Sequence, residues 1–268
     1  MLQSLVSTKW LNKNLVTSNV VVLFTTLIPK KQNIPDEVKN LQIPSARFFD
    51  LQNVFSDQNS SLPNTFPSEE QFQMGCQKLG ISKESTIVVY DTLGIYSSPR
   101  VWFLFKSMGH EAVYVLNGGL KAWLADGFIT ENKRKAKVER GNFSASFNPE
   151  FLINKMQLEA TINSSDSIVL DSRSAERFNG EAPEARIGLR SGNIPTSFNL
   201  HYAKLLFEGK FKKKEELTKL FDQYDDSKPI ICSCGSGITA CILLLAANEI
   251  VPNKLLLYDG SWTEWGSC

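Results

Sequence analysis

The residues best suited to chemistry lie in a short segment near the end of the chain, Cys-Gly-Ser-Gly-Ile-Thr at 234–239. An apolar run precedes it at 229–232 and another follows at 242–247, an order typical of a buried strand, a loop and a helix. The loop would place Cys234 at the carboxyl end of a strand and several backbone N–H groups at the start of a helix. Such a position binds anions and favours a thiolate. The segment, here called the anion-cradle loop (234–239), therefore predicts a sulfur nucleophile in an anion-binding turn.

The elements that would hold this loop occur twice along the chain. Four segments of the first half match four segments of the second half in the same order: 21–24 with 168–171, 43–50 with 194–199, 86–94 with 229–237, and 112–118 with 254–260. The repetition predicts a duplicated domain of about 120 residues per copy. Apolar strands alternate with helical stretches in each copy, which predicts an α/β fold with a mostly parallel sheet covered by helices on both faces. We expect a first domain over 1–130, a linker over 131–149 and a second domain over 150–268.

The two copies differ at the position of the candidate nucleophile. Cys234 in the second copy corresponds to Asp91 in the first. A carboxylate cannot perform thiolate chemistry, and ligand sites in such sheets lie beyond the carboxyl ends of the strands. We therefore expect a catalytically silent first domain and an active site in the second.

Composition and charge narrow the function classes. The 268 residues carry a net charge of +1, from 29 basic and 28 acidic residues, so electrostatics give no support for binding nucleic acid or an acidic membrane. The basic run at 133–137 has acidic neighbours and is interpreted as part of a solvated linker. The apolar run at 20–24 is too short to span a bilayer and is interpreted as a buried strand.

Cysteine usage bears on the compartment and on metals. Five cysteines and no secretory leader predict a reduced, intracellular protein, in the cytoplasm or alternatively the mitochondrion. The spacing of Cys232, Cys234 and Cys241 does not suit zinc, and no metal or cofactor is expected. Cys232, Cys241 and Cys76 are predicted to pack in the interior, whereas Cys268 is expected to be exposed.

Three motifs resemble the tandem-domain rhodanese family of sulfurtransferases, over nearly the whole chain. The anion-cradle loop matches, position by position, the Cys-Gly-Ser/Thr-Gly-Val/Ile-Thr form of the branch that uses 3-mercaptopyruvate, whereas members that use thiosulfate usually have Cys-Arg-Lys-Gly-Val-Thr. The stretches at 177–180 and 183–186 resemble Arg-Phe-x-Gly and Pro-Glu-Pro-Arg of the family, and 258–265 resembles its closing segment.

The resemblance implies a reaction and a set of site residues. Sulfur would pass from 3-mercaptopyruvate, a 2-oxo acid thiol, to the Cys234 thiolate, and pyruvate would be released. The resulting persulfide would pass to a thiol, a thioredoxin-like protein or cyanide. The implied roles are nucleophile for Cys234, assistance within the loop for Ser236 and Thr239, the cradle for Gly235, Gly237 and Ile238, and substrate binding for Arg177 and Arg186. An arginine fork suits the planar carboxylate of a 2-oxo acid.

Two departures from the family leave alternatives open. Gln52 and Asn64 stand where the family usually has an acidic residue and a histidine, and neither side chain is a base near neutral pH. A low-turnover persulfide carrier or binding module, and a thiosulfate:cyanide sulfurtransferase, therefore remain as alternatives. A cysteine phosphatase is disfavoured because it needs an arginine at position 240, where this chain has alanine.

Overall fold

The computed structural model describes residues 3–27 and 34–267. The strands are β1 (Leu5–Val6), β2 (Val20–Thr25), β3 (Leu41–Gln42), β4 (Arg47–Phe48), β5 (Thr86–Asp91), β6 (Val113–Leu116), β7 (Glu131–Asn132), β8 (Leu152–Ile153), β9 (Ile168–Asp171), β10 (Phe198–Asn199), β11 (Leu206–Phe207), β12 (Lys210–Phe211), β13 (Ile230–Ser233) and β14 (Leu255–Tyr258). The helices are α1 (Thr8–Asn14), α2 (Asp36–Lys39), α3 (Glu69–Lys78), α4 (Ser98–Ser107), α5 (Gly119–Ala125), α6 (Lys155–Ser164), α7 (Ala175–Phe178), α8 (Lys214–Phe221), α9 (Ala240–Asn248) and α10 (Ser261–Trp265). No helix within the described ranges is both long and apolar enough to cross a bilayer.

Two five-stranded sheets confirm the α/β fold predicted from the repeat. The first has the order β1-β6-β5-β2-β4 and the second β8-β14-β13-β9-β10, and every neighbouring pair in both is parallel. If the strands of each sheet are numbered in chain order within their own half, both sheets have the order 1-5-4-2-3. The central strands β5 and β13 are buried over most of their length, because they carry continuous apolar runs flanked by helices.

The strand register confirms the residue-by-residue match between the copies. Ile87 of β5 lies opposite Val113 of β6, and Ile230 of β13 lies opposite Leu255 of β14. On the other side, Ile87 and Ile230 lie opposite corresponding positions of β2 and β9. Asp91, four positions after Ile87, and Cys234, four positions after Ile230, are therefore equivalent in the two copies.

The chain forms two compact units that are not continuous in sequence. The first comprises Met1–Asp57, Pro67–Asn148 and Glu208–Phe211, and the second comprises Gln58–Phe66, Pro149–Phe207 and Lys212–Cys268. Each unit thus includes one short segment from the opposite half of the chain.

The stretch expected to be a solvated linker packs on the first unit instead. Strand β7 pairs in antiparallel fashion with β3, and the side chains of Phe143 and Ala145 are only 2% and 8% exposed. The polar composition of this stretch obscured these apolar anchors, which alternate with polar residues. The basic run at 133–137 is consequently held beside the sheet by the strand pairing that precedes it.

The cysteines expected in the interior are there. Cys76, Cys232 and Cys241 are each fully buried and free of disulfides, and burial raises the pKa of the Cys76 and Cys232 thiols well above its ordinary value. Cys268 lies outside the described residues.

Candidate active site

The anion-cradle loop connects β13 to α9, as the apolar runs on either side predict. Both elements are almost wholly buried, which fixes the two ends of the loop. Gly237 has a φ of +78°, a conformation that glycine adopts without steric cost. Cys234 follows the last residue of β13, is 2% exposed and carries a free thiol.

Several backbone donors of the loop have no acceptor within the protein. Among the described residues, the N–H groups of Gly235, Ser236, Ile238 and Thr239 make no hydrogen bond to a protein atom. The carbonyl groups of Cys234 and Gly235, in contrast, accept hydrogen bonds of 2.9 Å and 3.0 Å from the backbone of α10. A turn is suited to bind an anion when its carbonyl groups accept hydrogen bonds within the protein and its N–H groups remain available.

The first copy shows such a turn with an anion in place. The Asp91 carboxylate accepts hydrogen bonds from the backbone N–H groups of Leu93, Tyr96, Ser97 and Ser98, at 2.8–3.0 Å. The Ser98 hydroxyl donates a fifth, at 2.7 Å. The loop after β5 therefore holds a negative charge at the position equivalent to Cys234.

Ser261 is not among the predicted site residues, yet it contacts the loop directly. Its Oγ accepts hydrogen bonds from the N–H groups of Cys234 at 3.1 Å and Gly237 at 3.2 Å. It lies 2.9 Å from the carbonyl oxygen of Tyr258 and 3.9 Å from Cys234 Sγ. The sequence does hold one indication of this contact. Ser261 corresponds to Gly119 in the repeat, so the second copy has a serine where the first copy requires glycine.

The two hydroxyl residues of the loop have polar partners from distant segments. Asn64 Nδ2 donates to Ser236 Oγ at 3.0 Å, and Ser172 Oγ lies 2.8 Å from Thr239 Oγ1. Asn64, which stands where the family usually has a histidine, thus contacts Ser236. Gln52 is exposed in the first unit.

Arg177 lies beside the loop. A Cβ atom on Gly235 would be 3.2 Å from Arg177 Nη2, so glycine leaves room for the guanidinium group. Arg177 Nη2 donates to the Glu184 carboxylate, while its buried Nε has no hydrogen-bond partner among the described residues. Glu184 therefore fixes the Nη2 edge of the guanidinium group, while the Nε–H group remains available as a donor.

Arg186 approaches the same glycine through an intermediate hydroxyl. Arg186 Nη1 lies 3.4 Å from Thr263 Oγ1, which donates to the carbonyl oxygen of Gly235 at 2.5 Å. The structure thus brings both predicted arginines to the Gly235 side of the loop.

A buried ionic network that the sequence did not reveal holds Arg177 in place. Glu184 accepts hydrogen bonds from Arg177 and also from Arg173, whose Nη1 is 2.6 Å away. Arg173 is further paired with Asp171 at 2.6 Å and lies over the ring of Trp262. Because Glu184 and Arg173 are nearly inaccessible, the network serves to orient Arg177 rather than to meet solvent.

No group of histidine, cysteine and acidic residues within the described ranges is arranged to hold a metal ion. The site presents a thiol, two guanidinium groups, several hydroxyl groups and backbone N–H donors.

Comparisons with known proteins identify the family of this fold. The model of the rhodanese-like domain matches residues 32–126 and 155–268. The chain is 37% identical to thiosulfate/3-mercaptopyruvate sulfurtransferase 1, mitochondrial, of Arabidopsis thaliana, over 99% of this chain and 76% of that protein. It is 36% identical to 3-mercaptopyruvate sulfurtransferase of Escherichia coli strain K12, over 98% and 94% respectively. The crystal structure of SseA from Escherichia coli matches with a TM-score of 0.86 and 34% identity, over 97% of this chain and 98% of that chain.

Fold and site together define a protein of two rhodanese-like domains in tandem, and the chain belongs to the rhodanese family. Within that family it is a sulfurtransferase, an enzyme that transfers sulfur-containing groups.

Proposed function

We propose that the enzyme takes sulfur from 3-mercaptopyruvate onto Cys234 and releases pyruvate. The observation that carries this proposal is the meeting of Arg177 and Arg186 at Gly235, next to a loop with free N–H donors. Two guanidinium groups suit the carboxylate and keto oxygens of a 2-oxo acid. The neutral residues at 235 and 236 favour a monoanionic donor over a dianion.

In the first half-reaction the Cys234 thiolate attacks the sulfur of 3-mercaptopyruvate. An S–S bond forms and the C–S bond breaks, so the carbon fragment leaves as the enolate of pyruvate. The thiol proton of the donor is transferred to the enolate carbon, which completes pyruvate. Arg177 and Arg186 stabilise the negative charge that develops on the enolate oxygen, because charge-assisted hydrogen bonds strengthen as that charge grows.

In the second half-reaction the Cys234 persulfide is held as an anion until an acceptor arrives. The N–H groups of Gly235, Ser236, Ile238 and Thr239 are its proposed donors, by analogy with the carboxylate bound after β5. Ser236 and Thr239 add hydroxyl groups that donate to sulfur or carry a proton. A thiol then attacks the outer sulfur, gains it as a persulfide and restores the Cys234 thiolate.

The acceptor proposed is a small thiol or a thioredoxin-like protein, and cyanide would accept the same sulfur as thiocyanate. The relatives compared include a bacterial protein and one named as mitochondrial, so we propose the cytoplasm, with the mitochondrion as the second compartment.

The decisive experiment compares two donors on the same preparation. Pyruvate release from 3-mercaptopyruvate with a thiol is measured beside thiocyanate formation from thiosulfate with cyanide. We expect a strong preference for 3-mercaptopyruvate, and loss of both activities in Cys234→Ser, because a hydroxyl is a far weaker nucleophile than a thiolate near neutral pH. Cys76→Ser, which removes a buried thiol of the first unit, is the matched control and should retain turnover.

Thiosulfate is the second candidate donor, because the same two guanidinium groups could bind its sulfonate oxygens and the Arabidopsis relative is named for both donors. A preference for thiosulfate would show that the charge of the anion-cradle loop does not determine which sulfur donor the enzyme uses. A Cys234 persulfide that forms in a single turnover without sustained catalysis would favour the carrier alternative.

A further inference from the structure

The first unit contains an open cavity of about 750 Å³ beside the ends of β2 and β4. Phe24 and Thr26 line it at the end of β2, and Arg47 and Phe48 line it from β4. This edge of a parallel sheet is where α/β proteins bind ligands. The volume falls within the range of small-molecule sites, about 300–1,000 Å³.

The floor of the cavity is apolar and partly aromatic. The rings of Phe24 and Phe48 lie 5.1 Å apart between centroids, and Val54, Leu79 and Val138 extend the same surface. Such a surface suits the ring or chain of an organic molecule rather than a bare inorganic ion.

The rim of the cavity carries a marked excess of positive charge. Its charged lining comprises Arg47, Lys78, Lys133, Arg134, Lys135 and Asp50. Arg134 pairs with Glu131, but within the described ranges no carboxylate pairs with Lys78, Lys133 or Lys135. The charge of the site is therefore complementary to an anion.

Lys133 connects the charged rim to the aromatic floor. Its side chain is half-buried, and its Nζ lies 5.2 Å from the centroid of the Phe24 ring. Its backbone N–H donates to the carbonyl oxygen of Asn40 at 2.7 Å, and Glu131, two residues earlier, accepts from Gln42 at 2.8 Å. The backbone at Lys133 is thus fixed by the pairing of β3 and β7, which places its side chain over the Phe24 ring.

In the second copy, a buried ion pair rather than an apolar wall occupies the positions that correspond to Phe24 and Thr26. Phe24 lies opposite Tyr90, and Asp171 lies opposite Ser233, the equivalent strand residue. Asp171 and Arg173, two residues later, form a buried ion pair, whereas Phe24 and Thr26 face an open cavity. The first copy therefore has apolar walls and basic side chains where the second copy has a buried ion pair.

We propose that this cavity is a binding site for a small organic anion with an aromatic body. The ring would lie on the exposed Phe48, beside the buried Phe24, and the anionic group would meet Lys133 and the neighbouring cations. The proposal does not depend on the sulfur donor, since the site lies within the first unit, whose loop after β5 has no thiol.

A pair of fluorescent probes tests the proposal on the full-length enzyme. Anilinonaphthalene sulfonate is an aromatic anion, and phenylnaphthylamine is its neutral analogue. We expect saturable binding of the anion with a stoichiometry of one, weakened about tenfold (equivalent to about 1.4 kcal/mol) by Lys133→Gln, with little change for the neutral probe. Lys137→Gln, in the same basic run but outside the lining, should leave the affinity unchanged.

A second variant separates the site from general surface charge. Ala136→Phe keeps every charge but places a ring in the cavity lining, so we expect it to weaken both probes while sulfur transfer stays at the wild-type rate. Equal effects of Lys133→Gln and Lys137→Gln would overturn the proposal, because they would indicate diffuse electrostatics. So would undiminished binding by Ala136→Phe, or no saturable binding by the wild type.

Discussion

At the scale of the residue, Ser261 combines strained backbone with direct contact to the anion-cradle loop. Its φ is +51°, and the equivalent Gly119 in the first copy has a φ of +54°. A side chain in this region costs about 1–2 kcal/mol relative to glycine. In the first copy a Cβ would lie only 2.3 Å from the carbonyl oxygen of Asp91. In the second copy the Ser261 hydroxyl accepts hydrogen bonds from two N–H groups of the loop, which offset the backbone strain.

We therefore predict different effects for two substitutions of Ser261. Ser261→Ala keeps the strain and loses the hydroxyl, whereas Ser261→Gly loses both. Each should lower the free energy of unfolding, since two buried N–H groups lose their acceptor at about 1–3 kcal/mol each. Each should also lower kcat for sulfur transfer at least about tenfold, because the backbone that positions Cys234 loses two of its contacts. Thermal unfolding should show Ser261→Gly to be the more stable variant. Full activity in Ser261→Gly would mean that only the backbone conformation matters.

Asn64 offers a second test at the residue scale. It has a φ of +60° and donates to Ser236, but an amide cannot accept the hydroxyl proton as a base. We predict that Asn64→His raises kcat at pH values above about 6.5, where an imidazole is neutral, because it can then deprotonate Ser236. A kcat profile against pH, with Asn64→Gln as the control lacking a base, measures this. Identical profiles would exclude Ser236 from proton transfer.

At the scale of the element, the turn between β5 and α4 depends on one carboxylate. Asp91 is 2% exposed and satisfies four backbone N–H groups and one hydroxyl. It serves as a built-in ligand that closes the turn. In the second copy, by contrast, the N–H groups of Gly235, Ser236, Ile238 and Thr239 have no acceptor within the described part of the protein. The same strand–turn–helix unit thus has a structural role in one copy and presents a thiol in the other.

We predict that Asp91→Asn lowers the free energy of unfolding by about 2 kcal/mol. An amide keeps one oxygen acceptor, but its NH₂ group would face N–H donors. Urea denaturation measures the change, with the exposed Asp36→Asn as the control that should leave stability nearly unchanged. The folded variant should keep sulfur transfer; equal stability of the two variants would show that the carboxylate does not hold the turn.

At the scale of the whole molecule, both histidines of the chain favour the neutral form when folded. His110 is buried among Phe105 and Phe143 and contacts the carbonyl oxygen of Ser85. Burial lowers the pKa of His110 below its ordinary value, and burial also lowers the pKa of His201 despite the opposing charge of Glu176. The unfolded chain therefore binds protons more readily as pH falls through the ordinary histidine pKa of about 6.5.

The consequence is a loss of stability on mild acidification. Between about pH 7.5 and pH 5.5 the unfolded state gains protons that the folded state resists, so the Tm should decrease. The double variant His110→Gln/His201→Gln should show a flatter dependence of Tm on pH over this window. An unchanged slope would assign the effect to carboxylates instead.

The sequence alone determined the strand–turn–helix unit around Cys234 and the duplication of the α/β fold. Both follow from local patterns: apolar runs of strand and helix length on each side of a glycine turn, repeated in order. The match of Asp91 to Cys234 needed only the spacing between those runs, and strand register confirmed it. Such features depend on backbone conformation and on the burial of adjacent residues, so the local sequence is enough to predict them.

Only the tertiary structure decided which distant residues complete the two sites. Asn64 reaches Ser236 from 172 positions away, and Ser261 meets Cys234 across 27 positions. The composition of the basic run at 133–137 predicts a solvated linker, yet residues 133–136 line a cavity because β7 pairs with β3 and apolar anchors follow. These contacts depend on how separate segments cross at the ends of a sheet, and the local pattern of a single sequence does not specify those crossings.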